Sequence, residues 1–204
     1  MNRASLLPQG FYARDARTVA RALLGKLLVR RDPRGRFRIG RIVETEAYLE
    51  GDPAAHSYRG PTPRNQVMFG PAGYAYVYFT YGMHYCMNVT CEREGKPGAV
   101  LLRALRPVEG IVAMAAAREI ALPESPTEKH LRMLASGPAR LAEALSITRE
   151  RDNACLLTSE EHGLYILDDG YSAGPIVATP RIGISKAVEK KWRYLLKNDP
   201  FVSK

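Results

Sequence analysis

Arg41-Ile42-Val43-Glu44-Thr45-Glu46-Ala47-Tyr48 is the stretch on which the fold turns. Side chains alternate along a strand with period two, which puts Glu44, Glu46 and Tyr48 on one face and Val43, Thr45 and Ala47 on the other. The second set suits a core. The first has to meet water, a ligand or a buried polar network, because a carboxylate taken from water without a partner is costly. An isolated Glu-x-Glu is most often a solvated strand face, so the surrounding sequence has to decide.

Upstream, residues 26–31, the turn Asp32-Pro33-Arg34-Gly35 and residues 36–48 read as strand, reversal and strand, so the acidic pair ends a hairpin. Before it, Asp15 caps a predicted helix whose apolar positions Val19, Ala20, Leu23 and Leu24 recur at helical spacing and whose stop is Gly25. Downstream, residues 49–71 are rich in Gly, Pro, Asn and Arg, lack either period, and predict a long loop of the kind that carries function. Residues 74–80, 85–91 and 99–105 are β-prone runs joined through Tyr81-Gly82-Met83-His84 and Glu94-Gly95-Lys96-Pro97-Gly98, an antiparallel meander. Pro107 opens a predicted helix carrying Val108, Ile111, Val112 and Ala115 that runs into the proline-rich 122–126 connection. Ser136-Gly137-Pro138 opens another, with Leu141, Ala144 and Leu145. Short strands are predicted at 155–158, 164–167 and 175–178. No repeat, linker or low-complexity tract interrupts the 204 residues, and the chain reads as one α+β domain over 1–204.

Composition narrows the class. The hydrophobic content of 46% is ordinary for a globular protein, and no run of about 18 apolar residues offers a helical membrane span. Residues 1–10 lack an apolar stretch followed by small residues, so neither a secretory signal nor a transit peptide is expected, and the expected compartment is the cytoplasm. Cys86, Cys91 and Cys155 form no Cys-x-x-Cys and no zinc spacing with His130 or His162; they read as reduced core thiols. The formal charge of +9 points to a polyanionic partner, since clustered Lys and Arg gain affinity from phosphates by releasing counterions. Arg30, Arg31, Arg34, Arg36, Arg38 and Arg41 crowd the hairpin, and Lys186, Lys190, Lys191, Arg193 and Lys197 crowd the last segment. Two such patches suit two strands of nucleic acid, although period two equally puts half of the first group on a solvated face.

The company of the acidic pair changes its weight. His56, then Thr62-Pro63-Arg64-Asn65, then Tyr74, Tyr76, Tyr78, Tyr81 and Tyr85 in one hairpin, then Asn88 and Arg103 bring polar and aromatic groups together from four segments. Aromatic rings beside basic residues are what stacking on unpaired bases requires. Tyr76 and Phe79 are assigned to sheet packing, and His84 and Cys86 receive no role. Two other readings use the same residues: a metal-dependent nuclease with Glu44, Glu46 and Asp52 as Mg²⁺ ligands, and a catalytically silent binder of bent or damaged DNA.

Glu44-Thr45-Glu46-Ala47-Tyr48, Ala54-Ala55-His56-Ser57, Thr62-Pro63-Arg64-Asn65, Met68-Phe69, Tyr76-Val77-Tyr78, Tyr81-Gly82-Met83, Met87-Asn88, Leu101-Leu102-Arg103-Ala104-Leu105, Ser136-Gly137-Pro138-Ala139-Arg140-Leu141 and Pro180-Arg181-Ile182-Gly183 occur in that order. This ordered set resembles the alkyladenine (3-methyladenine, methylpurine) DNA glycosylase family from about residue 14 to residue 202. The resemblance implies a mainly antiparallel curved sheet flanked by helices, with a protruding hairpin. It implies a monofunctional enzyme of base excision repair that flips alkylated, deaminated or etheno purines out of duplex DNA and hydrolyses the glycosidic bond. Glu46 is then the general base for water, with Arg103 holding water and carboxylate. Tyr48 and Tyr78 stack on the flipped base, His56 and Ala54 close the pocket edge, and Asn88 lines its floor and disfavours guanine. Tyr81 wedges into the duplex, and Arg64, Met83, Arg140, Arg181 and Lys186 lie along the DNA backbone. The resemblance further implies a monomer with double-stranded DNA carrying damaged purines as its partner, and no cofactor, metal or membrane. The only Lys in the 44–103 core is Lys96, in a turn, so a Schiff-base mechanism lacks its amine.

Overall fold

The computed structural model describes residues 4–80 and 82–204. The deciding stretch lies in β3 (Phe37–Tyr48), which pairs antiparallel with β2 (Leu27–Arg31) so that Leu27 faces Arg41 and Arg31 faces Phe37. Asp32 closes the reversal by accepting from the backbone N–H groups of Arg34 and Arg36. The other edge of β3 pairs with β6 (Gly98–Glu109), and β5 (His84–Cys91) and β4 (Ala75–Thr80) follow as the expected meander. β1 (Ser5–Leu6) and β7 (Leu164–Asp168) extend the sheet beyond β2, giving the order β1-β7-β2-β3-β6-β5-β4.

Strand β3 is long enough to serve two neighbours on one edge. Beyond Arg41 its partner changes from β2 to β9 (Arg193–Leu196), with Glu44 opposite Leu195 and Glu46 opposite Arg193, and β8 (Ile176–Thr179) pairs outside β9. The sheet forks at the acidic pair.

One face of the curled sheet carries the main core. Val43, Thr45 and Ala47 of β3, Ala75 and Val77 of β4, Met87 and Val89 of β5 and Val100, Leu102 and Ala104 of β6 are buried on it. Helices α2 (Ala16–Leu23), α4 (Glu128–Ala135) and α5 (Pro138–Ala144) cover that face. Asp15 caps α2 by accepting from the Arg17 N–H, and Thr45 ties β3 to α2 by donating to the Ala20 carbonyl at 2.9 Å. Short helices α1 (Gln9–Tyr12), α3 (Ile111–Ala117) and α6 (Arg149–Asp152) complete the fold. Cys86, Cys91 and Cys155 are free, buried thiols. Among the described residues no helix is long and apolar enough to cross a membrane.

Several local expectations are corrected. Pro107 lies within β6, not at a helix start; the helix begins at Ile111, after Gly110 with φ 74°. β5 pairs with β6 only as far as Leu101, so the missing N–H of Pro107 deprives no neighbour on that edge, which is where a strand tolerates proline. The helix stops at Ala117, short of the proline-rich connection. Residues 155–158 make one isolated bridge, Tyr74 to Leu156, in place of a strand. Helices α1, α4 and α6 and strands β1 and β9 have no counterpart in the sequence reading.

Candidate active site

The face of the meander turned away from the core builds the site, and strict alternation selects its side chains. Tyr76 and Tyr78 of β4, Cys86 and Asn88 of β5, and Ala99, Leu101 and Arg103 of β6 line one cavity of about 430 Å³, at the smaller end of the roughly 300–1,000 Å³ typical of ligand pockets. Tyr48 enters from the end of β3, Ala54 and His56 from the long loop, and Ile182 to Ile184 from the segment before β9. Asn65 holds the loop in place. Its side-chain oxygen accepts from the Thr62 N–H at 2.6 Å, and its amide donates to the carbonyls of His56 at 2.8 Å and Gly60 at 3.1 Å.

Glu46 has no exposed surface and stands behind this wall. Two hydrogen-bond donors hold its carboxylate, the Tyr48 hydroxyl at 2.9 Å and the Ile182 backbone N–H at 2.8 Å, and the Arg103 guanidinium pairs with it at 3.2 Å. Arg103 also reaches Glu44 through Nε at 2.8 Å. Burial alone would lower the Arg103 pKa, but the charges of Glu46 and Glu44 raise it, so the cation persists. Burial, then the charge and hydrogen bond of Glu46, push the Tyr48 phenol well up, which keeps it protonated as a donor.

The aromatic side of the cavity is also ordered. His56 Nδ1 lies 2.9 Å from the Tyr76 hydroxyl, and the imidazole stands edge-on to Tyr78 with ring centroids 4.5 Å apart. Desolvation, then the positive charge of Arg64, hold the His56 pKa below its ordinary value, which leaves the ring neutral at pH 7. Burial raises the Tyr78 phenol in the same way. Asn88 donates to the Tyr76 carbonyl at 3.1 Å, fixing its amide at the cavity surface.

This geometry accompanies a family match. The family model described as Methylpurine-DNA glycosylase (MPG) matches residues 10–200. The chain belongs to the methylpurine-DNA glycosylase family. It is therefore an enzyme of DNA repair, a hydrolase of N-glycosyl bonds. A protein of Koribacter versatilis named "Putative 3-methyladenine DNA glycosylase" is 52% identical over 97% of this chain and 92% of its own length. Proteins of the same name from Methanocella arvoryzae and Carboxydothermus hydrogenoformans are 47% and 48% identical, covering 98% of this chain and 96% and 99% of their own lengths.

In this DNA glycosylase, Tyr48, Ala54, His56, Tyr78, Asn88 and Arg103 meet around the one cavity, with Glu46 directly behind Tyr48 and Arg103. Met83 (70% exposed), Arg64, Arg140 and Lys186 are on the surface. Tyr81 lies outside the described residues. Arg181 is placed differently from a backbone contact: its side chain is wholly buried, forks onto Asp52, donates to the Ala47 carbonyl at 3.0 Å and stacks against Tyr48 with 4.6 Å to the ring centroid. Asp52 is thereby occupied, as is Glu44 by Arg103 and Arg193, and among the described residues no cluster of three possible metal ligands forms.

Half of the basic hairpin, Arg30, Arg38 and Arg41, is turned into the protein, while Arg31, Arg34 and Arg36 are exposed. Arg30 pairs with buried Asp152 at 2.7 Å, Arg36 with Asp32, and Arg41 with Asp169, while Arg38 donates to the Ala144 carbonyl and Ser146. Tyr76, assigned to packing, lines the cavity and orients His56, whereas Phe79 is 45% exposed. The Ile182 N–H and Ser203 escape sequence reasoning because the one acts through backbone and the other through long-range contact.

Proposed function

We propose that this glycosylase is monofunctional and flips an alkylated purine, 3-methyladenine foremost, out of duplex DNA into the Tyr48–Tyr78 cavity, where Glu46 acts as general base for hydrolysis. The same reading extends to 7-methylguanine, hypoxanthine and ethenoadenine. The observation that carries it is the carboxylate of Glu46, buried and held by two hydrogen bonds and an ion pair beside an aromatic-walled cavity.

The energetics suit base flipping. Extrusion costs a few kcal/mol, least where pairing is already damaged, and stacking on aromatic rings returns roughly 1–3 kcal/mol per base. An N3- or N7-alkylated purine carries positive charge, which weakens the glycosidic bond and strengthens attraction to the faces of Tyr48 and Tyr78. Asn88, its amide fixed to the Tyr76 carbonyl, meets a purine 2-amino group unfavourably, which orders 7-methylguanine behind 3-methyladenine. Tyr81 fills the gap in the duplex, and Arg64, Met83, Arg140 and Lys186 meet the backbone. Arg181 supports Tyr48 from behind.

In the reaction a water oxygen bonds to C1′ of the sugar as the C1′–N bond breaks. The base leaves with the bonding electrons, and Glu46 takes the proton of the water. A carboxylate offers about four acceptor sites, and the two hydrogen bonds and the Arg103 ion pair leave room for that water. Because Glu46 has no exposed surface in the free protein, the reading requires the seated nucleotide to open a path to this site. A strand-cutting Schiff base would need an amine, and the Lys96 ammonium is paired with Glu92 at 2.9 Å.

The test incubates the protein, in EDTA, with duplexes each carrying one lesion and scores alkali-labile abasic sites. Release of 3-methyladenine is expected from the parent, and none from a Glu46→Gln protein that still binds an abasic duplex. No release from any duplex by the parent refutes the reading; loss of activity in EDTA favours the nuclease.

A further inference from the structure

We infer that Glu44, clamped by Ser203 and Arg193, is a positioning residue that fixes Arg103 against Glu46, so that residues 193–203 latch the reacting carboxylate from outside the base cavity. The inference rests on the reading of Glu46 as the general base.

Glu44 is fully buried and does not line the cavity, so it has no substrate to touch. Its Oε1 accepts from Arg103 Nε at 2.8 Å, Arg193 Nε at 2.6 Å and the Ser203 hydroxyl at 2.9 Å, and its Oε2 accepts from the Ser203 N–H at 2.6 Å. Ser203 in turn accepts from Arg103 Nη2 at 3.3 Å on its hydroxyl and from Arg193 Nη2 at 3.1 Å on its carbonyl. The Arg103 fork is therefore anchored at three nitrogens to three residues, Glu44, Glu46 and Ser203. A planar group held at three points can neither tilt nor turn.

This arrangement has a chemical consequence. Two carboxylates, Glu44 and Glu46, balance two guanidinium groups, Arg103 and Arg193. With its Nε committed to Glu44, Arg103 gives Glu46 a single contact at 3.2 Å. Released from Glu44, the same fork would close on Glu46 with two parallel bonds and occupy the acceptor site that the water needs. Ser203 matters because one hydroxyl both donates to Glu44 and accepts from Arg103, a pair of roles no aliphatic side chain supplies. Its position is set independently: Phe201 is buried in the core, Asp199 accepts from the Phe201 N–H at 2.9 Å, and Arg106 pairs with Asp199.

Ser203→Thr and Ser203→Val differ by a hydroxyl against a methyl in nearly one shape. Single-turnover release of 3-methyladenine under saturating protein, affinity for an abasic duplex and the thermal midpoint are measured for both. We expect the Val variant to lose about ten-fold in rate, the worth of one hydrogen bond to a charged group, with affinity within about two-fold and Thr close to the parent. Equal rates for folded Val and Thr variants, or a loss confined to affinity, overturn the inference. Should Val not fold, Ser203→Ala removes the hydroxyl without adding a methyl and is read the same way against Thr. A parent that releases no base at all fails the proposed function instead, so the two failures are told apart.

Discussion

Replacing Arg103 by Lys keeps the charge of the site and removes its fork, which isolates geometry from electrostatics. Arg103 donates to Glu44 at 2.8 Å and to Ser203 at 3.3 Å and pairs with Glu46 at 3.2 Å, from three different nitrogens, with its side chain 7% exposed. A lysine ammonium is a single point on a flexible stem and meets one carboxylate at full strength. Two of the three contacts are lost, and at about 1.5 kcal/mol each, the lower figure for hydrogen bonds to charged groups, the deficit is about 3 kcal/mol. Expressed wholly in the transition state, this slows the chemical step on the order of 10²-fold. The assay is single-turnover release of 3-methyladenine with protein in excess, alongside abasic-duplex affinity and a thermal melt. A folded Arg103→Lys protein working within about three-fold of the parent would refute the reasoning, since so small a loss is less than one such bond. A loss of affinity equal to the loss of rate would make Arg103 a phosphate contact.

The surface assignments separate by salt dependence: Lys186→Gln should reduce the salt slope of DNA binding by about one, whereas Arg181→Met should leave the slope intact and cost about 3–5 kcal/mol of stability by stranding buried Asp52. A changed slope for Arg181→Met would return that residue to the DNA backbone. Asp152 is 1% exposed; burial alone would raise its pKa, but hydrogen bonds from Arg151 and the charge of Arg30 outweigh burial and lower it. A carboxyl whose folded pKa is depressed contributes stability that is present above its unfolded value, 3.8, and lost as pH falls through the folded value. Melts across that window should therefore show a steeper acid loss for the parent than for Asp152→Asn, and parallel curves would sink the assignment. His56, with its pKa below the ordinary 6.5, should leave binding of a cationic lesion flat above that pH and weaken it below, as a charged imidazole repels a charged base. Titrating affinity in the Glu46→Gln background, with and without His56→Gln, checks this; superimposable curves would remove His56 from the pocket edge.

What the sequence discloses about this site is what period two can carry. Tyr78, Asn88 and Arg103 are legible because β4 and β5 alternate across the cavity and β6 does so through Ala99 and Leu101 up to its bulge at Arg103, and Tyr48 because it lies two residues from Glu46. Charge is less legible, since a count of arginines says nothing of partners: Arg30, Arg36, Arg38 and Arg41 read as a grip for phosphates but are held by Asp152, Asp32, backbone and Ser146, and Asp169. Arg193 sits in a run that looks like a basic patch, yet it forms β9 because β3 offers an edge there. Ser203 is 159 residues from Glu44, beyond any local pattern. At Pro107 the local helix-start signal yields to pairing with β3, a tertiary contact outweighing a propensity.

The acidic pair also depends on a register device that alternation alone does not reveal. Ile42 pairs with Leu105, Glu44 with Ala104 and Thr45 with Leu102, so β3 carries one extra residue at Val43 and β6 one at Arg103. The second irregularity cancels the first, and the ladder on either side keeps a common register. Ile42 and Val43 can both be buried in the core although they are consecutive, while Glu44, Glu46 and Tyr48 keep the site face. Bulges also bend a strand and increase its twist, and here the sheet forks between β2 and β9. Removing Val43 would only regularise β3, whereas deleting Thr45, in the regular ladder beyond the bulge, would turn Ala47 toward the cavity and Glu46 into an apolar core. That change should abolish folding, because an unpaired buried carboxylate costs several kcal/mol against a total stability of only about 5–15. Glu46 thus owes its place to Arg103, which it touches, and to the unbroken alternation from Glu44 to Tyr48, which sets the face it occupies.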